Sequence, residues 1–319
     1  MFLESLGQCA AAVSLQGCIG GAGRCRQPKI ALQLYSIREY VAGNGGCRGV
    51  GMDKALEDVA AIGYRGVEFA GYYEYEKDPR GLRRALKNAG VVPCGCHSGC
   101  LELGLDTRTW KYDADVLKAT CDYNMSYGNN MIVNPGGGNF PPGCSWATGM
   151  TEICKPTAAI DEFSRRLADA YERIADDAAK MGCRIGLHNH IWEHAVFMQD
   201  GMSFWDYMFS HTSERVCMEQ DVGWTTCAGV DPAVQYAKYP HRSVSMHAKE
   251  NGQGRDVTGF EGVLGEPGCP KSNSVRWEKV IEAAAVDGVE WAVVECERHC
   301  DDLSAIVPSY VFLKKMGLS

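Results

Sequence analysis

Gln33, Glu68, His97, Asn134, His188, His190, Glu219, Asp221, His247, Lys249, Glu295 and Glu297 share one property. Each closes, or directly follows, a short apolar or β-branched run. Polar groups at the ends of buried runs are costly unless they are paired or used, so their recurrence points to a site. Asp221, His247 and Glu295, with a nitrogen or oxygen from the run that ends near His188, make a mixed carboxylate–imidazole set. Such a set suits Mn²⁺, Mg²⁺, Co²⁺ or Zn²⁺ and leaves coordination positions for substrate oxygens. Taken singly, each has a plainer explanation: a strand-end histidine is usually just hydrogen-bonded, and an aspartate before Val222-Gly223-Trp224 can cap a turn.

The elements that would position these groups alternate regularly. Strands are predicted over 30–36, 64–69, 91–97, 130–134, 184–190, 216–221, 243–247 and 291–295. Helical spacing appears over 53–62, 79–89, 113–127, 160–181, 204–210 and 277–285, with a closing helix from Leu303. Eight strands each followed by a helical segment predict a parallel α/β sheet, and eight units fit a single closed (β/α)₈ TIM barrel. In such a barrel the site lies where the strands end, which is where the polar residues stand. No Gly-x-Gly-x-x-Gly follows the first strand and no P-loop is present; Gly136-Gly137-Gly138 is only a weak phosphate signal. No linker or fixed repeat interrupts residues 30–319, which read as one catalytic domain after an extension over 1–29.

The 319 residues are 45% hydrophobic and 23% charged, and 40 acidic against 32 basic residues leave a net charge of −8. Without clustered Lys and Arg, nucleic-acid binding is disfavoured. No apolar stretch reaches the roughly 20 residues of a membrane span. Of the 16 cysteines, Cys94, Cys183, Cys217 and Cys296 fall in or beside strands as small buried hydrophobes. Cys144 and Cys154, in a long loop, are the better disulfide candidates. Residues 2–23 contain Leu15-Gln16-Gly17-Cys18, which resembles a lipobox, and a Phe-Leu-x-x-Leu-Gly opening like that after twin arginines. No arginine precedes Phe2, and Glu4 is the wrong charge. With a working signal the protein would be periplasmic or lipid-anchored; otherwise it would be cytoplasmic, the segment being a loose extension.

From residue 30 onward the chain resembles the xylose isomerase-like TIM-barrel superfamily of sugar isomerases and epimerases, which includes inosose dehydratases and, more distantly, endonuclease IV. The resemblance rests on Leu32-Gln33-Leu34-Tyr35-Ser36, Gly63-Tyr64-Arg65-Gly66-Val67-Glu68, Leu187-His188-Asn189-His190-Ile191-Trp192-Glu193, Gln220-Asp221-Val222-Gly223-Trp224, Met246-His247-Ala248-Lys249-Glu250 and Val293-Val294-Glu295. It implies a divalent metal held by Asp221, His247 and Glu295. His188 is the fourth ligand, with His190 or Glu193 as substitutes. Ketose 3-epimerases and endonuclease IV carry Glu where His188 stands, so one base of a two-base epimerase is missing. Endonuclease-type repair also needs further His ligands, whereas Asp221 is followed here by Val222-Gly223-Trp224.

The resemblance therefore implies proton abstraction next to a carbonyl of a sugar or keto-sugar, giving an isomer, an epimer or a dehydrated product. The catalytic candidates are Glu295 and Lys249 as bases, with His97 positioning hydroxyls or protonating a leaving oxygen. Lys249 could equally form an ion pair with Glu219 or Glu250. Substrate contacts are expected from Gln33, Glu68, His190, Glu193, Trp224 and Arg255. Tyr35, Phe69, Trp192 and Trp224 are either sugar-stacking rings or rim packing. The loop over 136–157 is expected to cover the site, and the second variable loop spans 251–273. A non-catalytic carbohydrate-binding barrel and a homo-oligomer remain open alternatives.

Overall fold

The apolar runs form eight parallel strands: β1 (Lys29–Gln33), β2 (Gly66–Phe69), β3 (Val92–His97), β4 (Met131–Asn134), β5 (Arg184–His188), β6 (Val216–Asp221), β7 (Ser243–Ala248) and β8 (Trp291–Val294). In this computed structural model, which describes residues 26–44, 47–136, 140–250, 263–265, 275–296 and 299–319, β1 pairs with both β2 and β8. The sheet thus closes as a (β/α)₈ barrel with the strands in sequence order. The outer helices include α1 (Met52–Ile62), α2 (Pro79–Ala89), α3 (Ala114–Tyr127), α4 (Ala158–Lys180), α5 (Phe204–Ser210), α6 (Pro232–Lys238), α7 (Trp277–Asp287) and α8 (Ile306–Lys315). Their starts follow local chemistry. Asp78, Asp113, Thr157, Ser203 and Asp231 each accept an amide hydrogen of the first turn, which satisfies donors the helix cannot.

Two strands end two or more residues earlier than their sequences suggest. β1 stops at Gln33, because Leu34–Ile37 turns into a 3₁₀ helix capped by the Gln33 side chain. β5 stops at His188, and Trp192–Ala195 forms a short helical turn soon after. Asn189 diverts the chain there: its Oδ1 accepts the Asp221 amide at 3.0 Å and its Nδ2 donates to Thr225 Oγ1 at 3.1 Å. Outside the barrel, Gly43–Asn44 pairs antiparallel with Cys47–Arg48, and Leu105–Asp106 with Lys111–Tyr112. Cys144 and Cys154 form a disulfide, and Cys94, Cys183, Cys217 and Cys296 are buried. The signal-like segment lies outside the described residues, and no helix among those described is long and apolar enough to cross a membrane.

Strand alternation divides two cores. Leu32, Val67, Met218 and Met246 point outward into the large cluster beneath the helices, while Ala31, Cys94, Trp291 and Val293 fill part of the barrel interior. Two register shifts interrupt the ladders, one between Val67 and Glu68 against β3 and one between Met218 and Glu219 against β7. Bulges re-aim side chains, and both of these fall at a buried glutamate.

Candidate metal centre and cleft

Asp221 ends β6 and opens the short helix Val222–Cys227. Its Oδ1 accepts the Trp224 amide at 2.8 Å, whereas its Oδ2 is buried without a hydrogen-bond partner. The capping explanation therefore accounts for one oxygen and leaves the other. Around that oxygen stand His188, His247 and Glu295; one ligand atom from each of the four lies within 4.8 Å of the rest. His188 Nε2 is 4.0 Å from Asp221 Oδ2, and His247 Nδ1 is 3.1 Å from Glu295 Oε2. Two imidazoles, two carboxylates and one orphaned buried oxygen fit a divalent cation of the Mn²⁺, Co²⁺, Mg²⁺ or Zn²⁺ kind.

The electrostatics suit that use. Burial pushes the Asp221 carboxyl up to about 7, against the pull of Lys249 and His247. Burial, helped by His247, drops His188 to about 3, so its ring is neutral at ordinary pH. Burial would also raise Glu295, yet Lys249 and His247 hold it well below the usual carboxylate range.

Beneath this quartet lies a second polar layer. Glu219 Oε1 faces His97 Nε2 at 3.1 Å, His247 Nε2 at 3.2 Å and His188 Nδ1 at 3.6 Å. Its Oε2 accepts from Ser245 Oγ at 2.5 Å. Glu68 Oε2 lies 2.6 Å from His247 Nε2 and accepts from Gln33 Nε2 at 2.8 Å. Burial and the charge of Glu219 raise the Glu68 carboxyl. His97 stacks on His247 with ring centroids 5.1 Å apart.

Several expected substrate contacts are thus placed elsewhere. Gln33 and Glu68 are wholly buried; Gln33 also accepts the Tyr35 amide at 3.1 Å, so both ends of its amide are in use. Glu193 lies behind His190, accepting the His190 amide at 2.7 Å, and burial keeps its carboxyl neutral. Lys249, a candidate base or ion-pair partner, pairs with Glu295 at 2.9 Å. Glu250 accepts from Trp277 Nε1 at 2.7 Å and from the Gly265 amide at 3.0 Å. Phe69 and Trp192 are packing residues, buried among other rings. Arg255 and Glu297 lie outside the described residues, as does most of the second variable loop.

A cleft of about 470 Å³ opens above the quartet, lined by Tyr35, His97, Trp146, His190, Trp224 and Glu295 among others. That volume is in the range of small-molecule sites. Trp146 comes from the disulfide-tied loop and meets His190 edge-on at 4.6 Å. Although β5 ends at His188, the rings of His188 and His190 remain 4.9 Å apart at the cleft floor and wall. Burial holds His190 well below its ordinary value, so it is a neutral imidazole. The residues whose importance the sequence left unmarked are Glu219, named only as a strand-end carboxylate, and Ser245. Their signal was the i, i+2 spacing of Glu219 with Asp221 and of Ser245 with His247, which puts each pair on one strand face.

A family model for the xylose isomerase-like TIM barrel matches residues 56–316. An inosose dehydratase of Lacticaseibacillus casei is 24% identical over 260 residues, which cover 78% of this chain and 83% of that protein. A sugar phosphate isomerase/epimerase from Parabacteroides distasonis ATCC 8503 superposes with a TM-score of 0.64 at 18% identity, covering 92% of this chain and 96% of its own. The 3-keto-D-glucoside 4-epimerase of E. coli gives a TM-score of 0.61 at 14% identity, covering 91% and 100%. At those identities the two structures speak for the fold alone. With the model spanning most of the barrel, the chain belongs to the xylose isomerase-like TIM-barrel family.

Proposed function

We propose that this chain is a divalent-metal-dependent enzyme that removes a proton next to the carbonyl of a sugar or keto-sugar, yielding an isomer or epimer. The observation that carries the reading is the orphaned Asp221 Oδ2 among His188, His247 and Glu295 at the floor of the cleft. A divalent ion bound there would polarise a substrate carbonyl and acidify the adjoining C–H. Glu295, ionised and held by Lys249 and His247, supplies negative charge beside the reacting carbon. His190, neutral and on the cleft wall, can accept or return a proton. Trp146, Trp224 and Tyr35 offer faces for the substrate ring, and His97 stands at the edge of the cleft to hold a hydroxyl.

A dehydratase is the second reading, and a specific feature favours it. Among the described residues lining the cleft, Glu295 is the one carboxylate, the other ionisable groups being Tyr35, His97, His188 and His190. A symmetric two-base epimerisation needs a base on each face of the sugar. One carboxylate with imidazoles suits removal of a proton followed by protonation of a departing hydroxyl. The relationship to an inosose dehydratase agrees with this.

The test is incubation in D₂O with Mn²⁺, using free ketoses, inososes, 3-keto-glycosides and sugar phosphates, read by mass spectrometry. Metal-dependent deuterium uptake without loss of water supports isomerisation or epimerisation; uptake with loss of water supports dehydration. Metal binding with no exchange on any of them would leave a binding-only barrel, and exchange that survives Asp221→Ala would refute the proposed site.

A further inference from the structure

His188 and His247 each span two layers. Their upper nitrogens, His188 Nε2 and His247 Nδ1, face Asp221 and Glu295; their lower nitrogens, His188 Nδ1 and His247 Nε2, face Glu219 Oε1. The lower layer, with His97 and Glu219, forms a second set of ligand atoms within 4.8 Å of one another. An imidazole that binds an ion does so through one nitrogen and carries its hydrogen on the other, so each ring can serve the upper set or the lower set but not both. The two sets are therefore alternatives, and resting on the metal-centre reading above, their surroundings distinguish them.

The upper set holds the partnerless Asp221 Oδ2, and its His188 and Glu295 line the cleft. In the lower set the carboxylate is already engaged: Glu219 Oε2 accepts from Ser245, and Oε1 accepts from His97. The lower nitrogen of His188 has no hydrogen-bond partner, and Glu219 Oε1 is the acceptor it faces. The register shift between Met218 and Glu219, and the alternation that points Glu219 and Asp221 the same way, put this carboxylate one step below the quartet.

We propose that Glu219 is the positioning residue of the metal centre: one carboxylate that holds the hydrogen of both ligand histidines on their lower nitrogens, leaving His188 Nε2 and His247 Nδ1 bare for the ion. One anion thereby sets two tautomers at once. At His247 Nε2 Glu219 shares this task with Glu68, the nearer carboxylate at 2.6 Å against 3.2 Å, whereas His188 Nδ1 faces Glu219. Carboxylates behind ligand histidines act in this way at many metal sites, and removing them lowers affinity by about 10–100-fold.

The test combines Zn²⁺ titration calorimetry with long-range ¹H–¹⁵N spectra of histidine side chains in the Zn²⁺-loaded protein. The expected spectrum shows hydrogen on Nδ1 of His188 and Nε2 of His247. Glu219→Gln, with circular dichroism confirming its fold, is expected to bind Zn²⁺ about 10–100-fold more weakly. Hydrogen on His188 Nε2 and His247 Nδ1 would place the ion in the lower layer, make Glu219 a ligand and overturn the proposal. Unchanged affinity in Glu219→Gln would overturn it too while leaving the metal centre intact. Failure of the unaltered protein to bind Zn²⁺, Co²⁺ or Mn²⁺ would sink the metal centre itself, and this inference with it. The spectrum of the unaltered protein fixes which layer holds the ion even if the variant does not fold, and Glu219→Ala then takes the place of Glu219→Gln in the calorimetry.

Discussion

Asp221 and Trp224 are joined by a hydrogen bond of 2.8 Å from the Trp224 amide to Oδ1, which leaves Oδ2 buried and facing His188. A single side chain thus starts a helix and turns a free oxygen toward the proposed metal centre, and the two features can be separated by substitution. Asp221→Asn keeps an oxygen for the cap but loses the charge; Asp221→Ala loses both. Calorimetry should show Zn²⁺ affinity reduced at least about tenfold in each. Urea unfolding of the metal-free proteins should find a cap loss of about 1 kcal/mol in the alanine variant alone. Equal destabilisation of both would mean that the cap contributes nothing.

Acid should loosen this fold through its buried neutral histidines. His194, buried and within 3.1 Å of Thr225 Oγ1, is brought down by burial to about 4 from 6.5. The unfolded chain takes up this proton below about 6.5 and the folded chain not until about 4, so the stability involved is complete above 6.5 and is lost as pH falls through that window. Urea unfolding at pH 7, 5.5 and 4.5 should show this decline, and His194→Asn should flatten it. An unchanged slope in the variant would assign the acid sensitivity elsewhere, His188 being the next candidate with its value near 3.

Gly95 pairs with Glu68 across the β2–β3 ladder, and a methyl group there would overlap the Glu68 carboxylate. Gly95→Ala must displace a buried side chain that His247 and Gln33 both hold. Overpacking of this kind destabilises by about 1–3 kcal/mol, and here it should also weaken Zn²⁺ binding by tilting His247. Thermal unfolding and calorimetry on the same preparation check both. A loss of stability with wild-type affinity would show that Glu68 does not help to hold His247.

The Cys144–Cys154 disulfide ties down the loop that brings Trp146 against His190. Replacing both cysteines with serine should loosen the cleft wall and leave the quartet untouched. Once a substrate is in hand, KM should rise several-fold with kcat changed little, and Trp146→Ala should reproduce that pattern. A fall in kcat with constant KM would instead place Trp146 at the reacting centre.

The barrel was legible because its signals are local. Short β-branched runs, spaced apart by amphipathic helices with Asp, Thr and Ser caps, specify strands and helices through periodicity and end chemistry. The polar residues that end those strands could be read too, since a closed parallel barrel brings strand ends together whatever their distance in sequence. Asp221, His188, His247 and Glu295 meet for that reason.

Depth within the barrel was not legible. Gln33, Glu68 and Glu193 have the same residue types as cleft-facing groups, and nothing local tells a side chain that meets substrate from one that supports a histidine. Early strand ends at Gln33 and His188, bulges at Glu68 and Glu219, and the clamp of Asn189 on Asp221 decide it. These depend on how neighbouring strands register against one another. Alternation and strand order settle which groups gather at one end of the barrel. Which of them lie in the upper layer and which beneath it follows from the folded chain, because depth is set by contacts between residues that no local pattern connects.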